Sequence, residues 1–123
     1  MTTQPSTILV VDDDEEVLLI ASTYLRDQGY KILEARNAAQ GLSIVQEVSN
    51  IDLLFTDIAM PGDMNGFDLA HQAKQLRPTL RVLYTSGYFK DLPQSKTLMS
   101  YGKMLPKPWR LSGLHEAVKN ALA

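Results

Sequence analysis

Four stretches of this 123-residue chain place reactive side chains where an apolar run stops. "ILVV" runs into Asp12-Asp13, "DLLFT" into Asp57, "RVLYT" into Ser86 with Thr85 beside it, and residues 103–106 into Lys107-Pro108. If these runs are parallel strands, their C-terminal ends share one rim. That rim then gathers three carboxylates, one or two hydroxyls and one ammonium. Three neighbouring carboxylates raise one another's pKa values unless a cation neutralises them. Mg²⁺ suits such a set, because it takes hard oxygen ligands in an octahedron and keeps several waters. Lys107 and Ser86 suit an anion instead. Together these groups describe a site for phosphoryl transfer onto Asp57, with the cation and Lys107 balancing charge on the transferred group.

The surrounding pattern supplies the strands. Residues 7–12 form a continuous run rich in β-branched side chains, as in a strand buried on both faces. Further strands are predicted over 31–35, 52–56, 81–85 and 103–106. Val17, Ile20, Ala21 and Tyr24 repeat at helical spacing, with Asp13 or Asp14 as the cap and Gly29 as the stop. Asn37 with Gln40 resembles a capping box ahead of the stripe Leu42, Val45 and Val48. Asn65 caps a helix striped by Leu69, Ala73 and Leu76, which Pro78 ends. A helix is predicted near 93–100, and Leu111, Leu114, Val118 and Leu122 mark the last one. Five strand–helix alternations predict an α/β, doubly wound (βα)5 fold. Its five-stranded parallel sheet takes the order 2-1-3-4-5, with helices on both faces joined by right-handed crossovers.

The length fits one domain, read as residues 7–123 behind a disordered tail at 1–6. A formal net charge of −2 does not point to nucleic acid or a membrane surface as a partner. The lack of cysteine removes disulfides, thiolate catalysis and cysteine-ligated zinc. With neither a signal peptide nor a membrane-length apolar run, the expected location is the cytoplasm.

The segments "ILVVDDD", "LLFTDIAMPGDMNG", "VLYTSGY" and "LPKPW" resemble the receiver domain of two-component response regulators, over about residues 7–122. The resemblance implies a CheY-like version of the flavodoxin-like fold. It also implies that Asp57 accepts a phosphoryl group from the phosphohistidine of a sensor histidine kinase or histidine phosphotransferase. Asp12, Asp13, Asp57 and the backbone carbonyl of Ala59 are then the Mg²⁺ ligands, Ser86 bonds the phosphoryl oxygen, and Lys107 contacts the same group. The Lys107–Pro108 bond is expected cis, and Tyr88 and Ala59 flank the path of the attacking water. Such a chain is a phosphoacceptor assisting its own phosphorylation and dephosphorylation, not an enzyme with an external substrate, and it signals to a downstream protein by population shift.

Three features depart from the common family pattern. Met104 stands where an aromatic switch residue is usual. The loop after Asp57 is one residue longer, in the form seen in receivers of hybrid histidine kinases and single-domain response regulators. Arg110 replaces a serine helix cap, with Gly113 in the following turn, so a frayed helix start is expected. No output domain follows, and a stand-alone regulator is expected.

Other polar residues have plainer readings. Asp14, Glu15 and Glu16 are a helix start favoured by the macrodipole. His71 and His115 lie at or near the surface, Trp109 packs beside the Lys-Pro turn, and Met99 and Met104 fill core or interface. Two other functions compete. "Asp12-Asp13-Asp14" contains the Asp-x-Asp of haloacid-dehalogenase-type phosphatases, but the chain is short for them and Asp57 goes unexplained. A flavodoxin-like FMN binder needs a Ser/Thr/Gly phosphate loop after the first strand, where this chain has acids.

Overall fold

The computed structural model describes residues 4–87 and 101–123. Five strands, β1 (Thr7–Val11), β2 (Lys31–Ala35), β3 (Leu53–Asp57), β4 (Arg81–Ser86) and β5 (Gly102–Pro106), form one parallel sheet in the order β2-β1-β3-β4-β5. Among the described residues four helices accompany it: α1 (Glu15–Asp27), α2 (Ala38–Glu47), α3 (Gly66–Leu76) and α4 (Leu111–Leu122). The predicted fold class and strand order are those observed. The helix expected near 93–100, Met99 and Tyr88 lie outside the described residues.

Side chains alternate across the sheet because strand side chains have a period of two. Leu9, Val11, Leu54, Val82 and Tyr84 meet Leu69, Ala70 and Ala73 of α3 and Val45 of α2 in one buried cluster. Ile8, Val10, Leu53, Phe55 and Leu83 meet Leu18, Ala21 and Leu25 of α1 and Leu114 and Val118 of α4 in the other. The central strands β1 and β3 are buried along their whole length, which is why they read as unbroken apolar runs.

Element ends are set by local hydrogen bonds. Asp14, rather than Asp13, caps α1 by accepting from the N–H groups of Glu16 and Val17. Gly29 follows the C-cap Gln28 with φ of +99°, a left-handed conformation that favours glycine. Asn37 caps α2 through the Gln40 N–H, but Gln40 returns its side-chain oxygen to the N–H of Arg36 rather than to Asn37. The reciprocal box instead occurs at α3, where Asn65 and Asp68 satisfy each other's backbone N–H groups. The first strand ends one residue earlier than expected and the third shifts by one. Asp52 precedes β3 and accepts the Thr7 N–H at 2.8 Å, which ties the starts of β3 and β1 together. The carbonyl of Ser6 accepts the N–H of Lys31 at 3.0 Å, one residue before β1 begins.

Candidate functional site

Parallel pairing carries the ends of β1, β3, β4 and β5 to one rim. Asp12 follows β1 and is only 2% exposed, and Asp57 ends β3 at 6%. Asp13 beside them is exposed, and one carboxylate oxygen from each of the three lies within 4.8 Å of the others. The two oxygens of Asp12 have separate partners. Oδ1 accepts the Asp14 N–H at 2.9 Å, and Oδ2 accepts Lys107 Nζ at 2.9 Å. The same ammonium stands 3.4 Å from Asp57 Oδ2, so one cation bridges two buried carboxylates.

Lys107 comes from the turn after β5. Its N–H donates to the Ser86 carbonyl at 2.9 Å, and its peptide bond to Pro108 is cis, as expected. Ser86 ends β4 and is buried. Ala59 is exposed and lines a cleft of about 720 Å³ with Asp57, Lys107, Pro108 and Trp109, walled by Val17, Ile20 and Leu111. The rim therefore holds Asp12, Asp57 and Lys107 in contact, with an Asp13 oxygen within 4.8 Å of the other two carboxylates and Ser86 joined to Lys107 through the backbone.

Burial pushes the Asp57 carboxyl up to about 6, and the charges of Asp12 and Asp13 push the same way against the lowering pull of Lys107. Burial alone would lower Lys107. The hydrogen bond and charge of Asp12, with those of Asp57, outweigh it and hold the ammonium above its ordinary value. A single lysine thus leaves the three carboxylates under-neutralised. The close oxygen donors and the raised Asp57 both fit a hard divalent cation, which would relieve that repulsion.

Three supporting contacts were not evident from residue types. Gly66 opens α3 directly against Asp57: a Cβ there would stand 2.1 Å from the Asp57 carbonyl oxygen and 2.9 Å from Ile58 Cα. Only glycine allows this approach, and the Gly66 N–H donates to the Ile58 carbonyl at 2.9 Å. Thr56 Oγ1 donates to the Asp57 carbonyl at 2.9 Å. Trp109 Nε1 donates to Thr85 Oγ1 at 3.3 Å. The glycine at the close of "MPGDMNG" was the one available signal for the first of these. Of the residues given plain readings, Met104 packs against the α2/α3 cluster. His71 is exposed with Nδ1 2.6 Å from the Tyr101 hydroxyl, and half-buried His115 meets the rings of Tyr24 and Tyr30 edge-on.

Comparison with known proteins gives one family over nearly the whole chain. The family model of the response regulator receiver domain matches residues 8–119. The sensor kinase CckA of Brucella abortus (strain 2308) is 30% identical over 120 residues, which are 95% of this chain but 12% of that kinase. The response regulator receiver protein CpdR of the same organism is 29% identical over 122 residues, covering 94% of this chain and 95% of CpdR. Among solved structures, the receiver domain from hybrid histidine kinase CckA superposes with a TM-score of 0.82 at 34% identity, covering 96% of this chain and all of that one (100%).

Proposed function

This chain belongs to the response regulator receiver domain family, and on that premise we propose that Asp57 is its phosphoacceptor in a phosphorelay. The observation that carries the reading is the Lys107 ammonium, 2.9 Å from Asp12 and 3.4 Å from Asp57 at the mouth of an open cleft. In the transfer, the N–P bond of a donor phosphohistidine breaks as a bond forms from phosphorus to a carboxylate oxygen of Asp57. The imidazole leaves with the electron pair of the broken bond. Lys107 already balances the carboxylate and then meets the phosphoryl oxygens, while the Ser86 hydroxyl bonds another. Hydrolysis of the resulting acyl phosphate by water returns Asp57, so the chain assists its own phosphorylation and dephosphorylation without turning over an external substrate.

Receiver domains of this family bind Mg²⁺ at an acidic pocket. Here Asp12, Asp13, Asp57 and the Ala59 carbonyl would hold the ion, whose charge would stabilise the phosphoryl oxygens during transfer. Ile20 of α1 and Leu111 in the first turn of α4 are exposed apolar side chains that line the cleft. That surface suits the apolar face of a helical donor, a sensor histidine kinase or a histidine phosphotransferase. Residues 7–123 act as one receiver unit in the cytoplasm, and no described helix is long and apolar enough to cross a membrane. The phosphoryl group signals to a downstream protein partner by shifting a conformational equilibrium.

Acetyl phosphate with Mg²⁺ tests the assignment. The wild-type chain should gain one phosphoryl group by intact mass, labile to hydroxylamine, and Asp57→Asn should gain none. Labelling of Asp57→Asn at the wild-type level would overturn it.

A further inference from the structure

The Lys107–Pro108 turn is pinned to β4 at two points. At one, the Lys107 N–H donates to the Ser86 carbonyl at 2.9 Å. At the other, the indole N–H of Trp109 donates to Thr85 Oγ1 at 3.3 Å. Thr85 is 2% exposed, and the indole is the hydrogen-bond partner of its buried hydroxyl. The Trp109 ring lies on Phe55, with centroids 6.4 Å apart, within the α1/α4 cluster. Phe55 and Thr85 belong to paired strands, with Thr85 opposite Asp57 itself, and the Ile58 N–H donates to the Thr85 carbonyl at 3.0 Å. Thr85 therefore touches the phosphoacceptor strand through its backbone and the lysine turn through its side chain. Below the turn, Arg110 gives α4 no side-chain cap, and Pro108 has no N–H to offer.

We propose that Trp109 is a positioning residue for phosphoryl acceptance: its bond to Thr85 and its seat on Phe55 fix the Lys107–Pro108 turn, and so the ammonium between Asp12 and Asp57. This rests on Asp57 being the phosphoacceptor. The indole acts through Lys107 and does not itself meet the phosphoryl group. Breaking the bond leaves a buried hydroxyl without its partner and frees the second anchor of the turn, so the ammonium samples positions away from the two carboxylates.

The test measures the rate of labelling by acetyl phosphate at saturating Mg²⁺, alongside thermal unfolding. A small donor is used so that docking of a protein partner plays no part. Trp109→Phe keeps a ring on Phe55 and removes the N–H; Thr85→Val keeps the shape and removes the acceptor. Each should slow labelling about fivefold, the effect of one neutral hydrogen bond. The double variant should be no slower than either single one, because both remove the same bond. Thr85→Ser keeps the hydroxyl and should restore the rate to within about twofold of wild type. Variants that unfold at lower temperature yet label at the wild-type rate would overturn the proposal, as would rate losses that multiply in the double variant. Failure of the wild-type chain to label would instead strike the assignment of Asp57.

Discussion

On the proposed function Asp57 carries the chemistry, and its burial comes at a cost to the fold. Its carboxyl titrates near 6 in the folded chain against 3.8 as an ordinary aspartate, so the folded state binds this proton more tightly than the unfolded one. Its contribution to stability is therefore most favourable below about pH 4, falls as the pH rises towards about 6, and stays low above that. Asp57→Asn removes the titration. In the presence of a chelator at neutral pH it should be more stable than wild type by on the order of 2 kcal/mol, with the gap closing as the pH falls to about 4. Denaturant unfolding across that range reads both quantities, and a variant no more stable than wild type at neutral pH would show that burial does not strain the ionised form. Asp12, Asp13, Asp57 and Lys107 were legible as a group because each ends an apolar run, and parallel pairing alone then brings them together. The separate duties of the two Asp12 oxygens were not legible. They depend on which way a carboxylate turns, and neighbouring residue types do not encode that.

At the scale of elements, the helix starts are unequal. Asp14, Asn37 and Asn65 each hold at least one orphan N–H group of their helices, while Arg110 contributes no side-chain bond to α4. Gly113 sits in the first turn of α4, and a Cβ there would meet nothing within 4 Å. Gly113→Ala should stabilise the protein by up to about 1 kcal/mol, and Arg110→Ser should add a further ~0.5–1 kcal/mol. Thermal unfolding of the two variants checks this, and no gain from either would mean that the first turn of α4 contributes little to global unfolding. These ends could be read from the sequence because capping depends on one or two adjacent residues. The reciprocal pair at Asn65 and Asp68 lies outside the usual capping-box pattern, which has Glu or Gln at the third position where this helix has Asp. The backbone approach at Gly66 has no local signature, because the surface it touches belongs to β3, whose position beside α3 exists only after folding.

For the molecule as a whole, the sheet divides the interior into two clusters, and the site lies at the rim where both end. Met104 packs on the α2/α3 side, while Trp109, Phe55 and Thr85 make a bonded, ring-packed group on the α1/α4 side. On the proposed function, the exposed apolar side chains Ile20 and Leu111 on that side would receive the protein donor. Ile20→Glu should accordingly slow transfer from a phosphorylated kinase or phosphotransferase by more than about tenfold, and labelling by acetyl phosphate far less. Equal slowing of both would place Ile20 at the chemistry rather than at docking. The layering is legible because the period of the apolar residues gives each element its type and buried face, and the strand order because alternating strands and helices favour the doubly wound order. The distribution of the bonded group between the two sides was not, because it depends on which of two adjacent strand residues, Thr85 or Ser86, faces which helices. Asp12 and Lys107, finally, are 95 residues apart in the chain. During synthesis the first carboxylate emerges long before its cation, and β5 must be made and seated before the pair can close. A chain still attached to the ribosome and lacking β5 has the aspartates but not the ammonium, so on the proposed function competence to accept a phosphoryl group would wait until Lys107 has been translated.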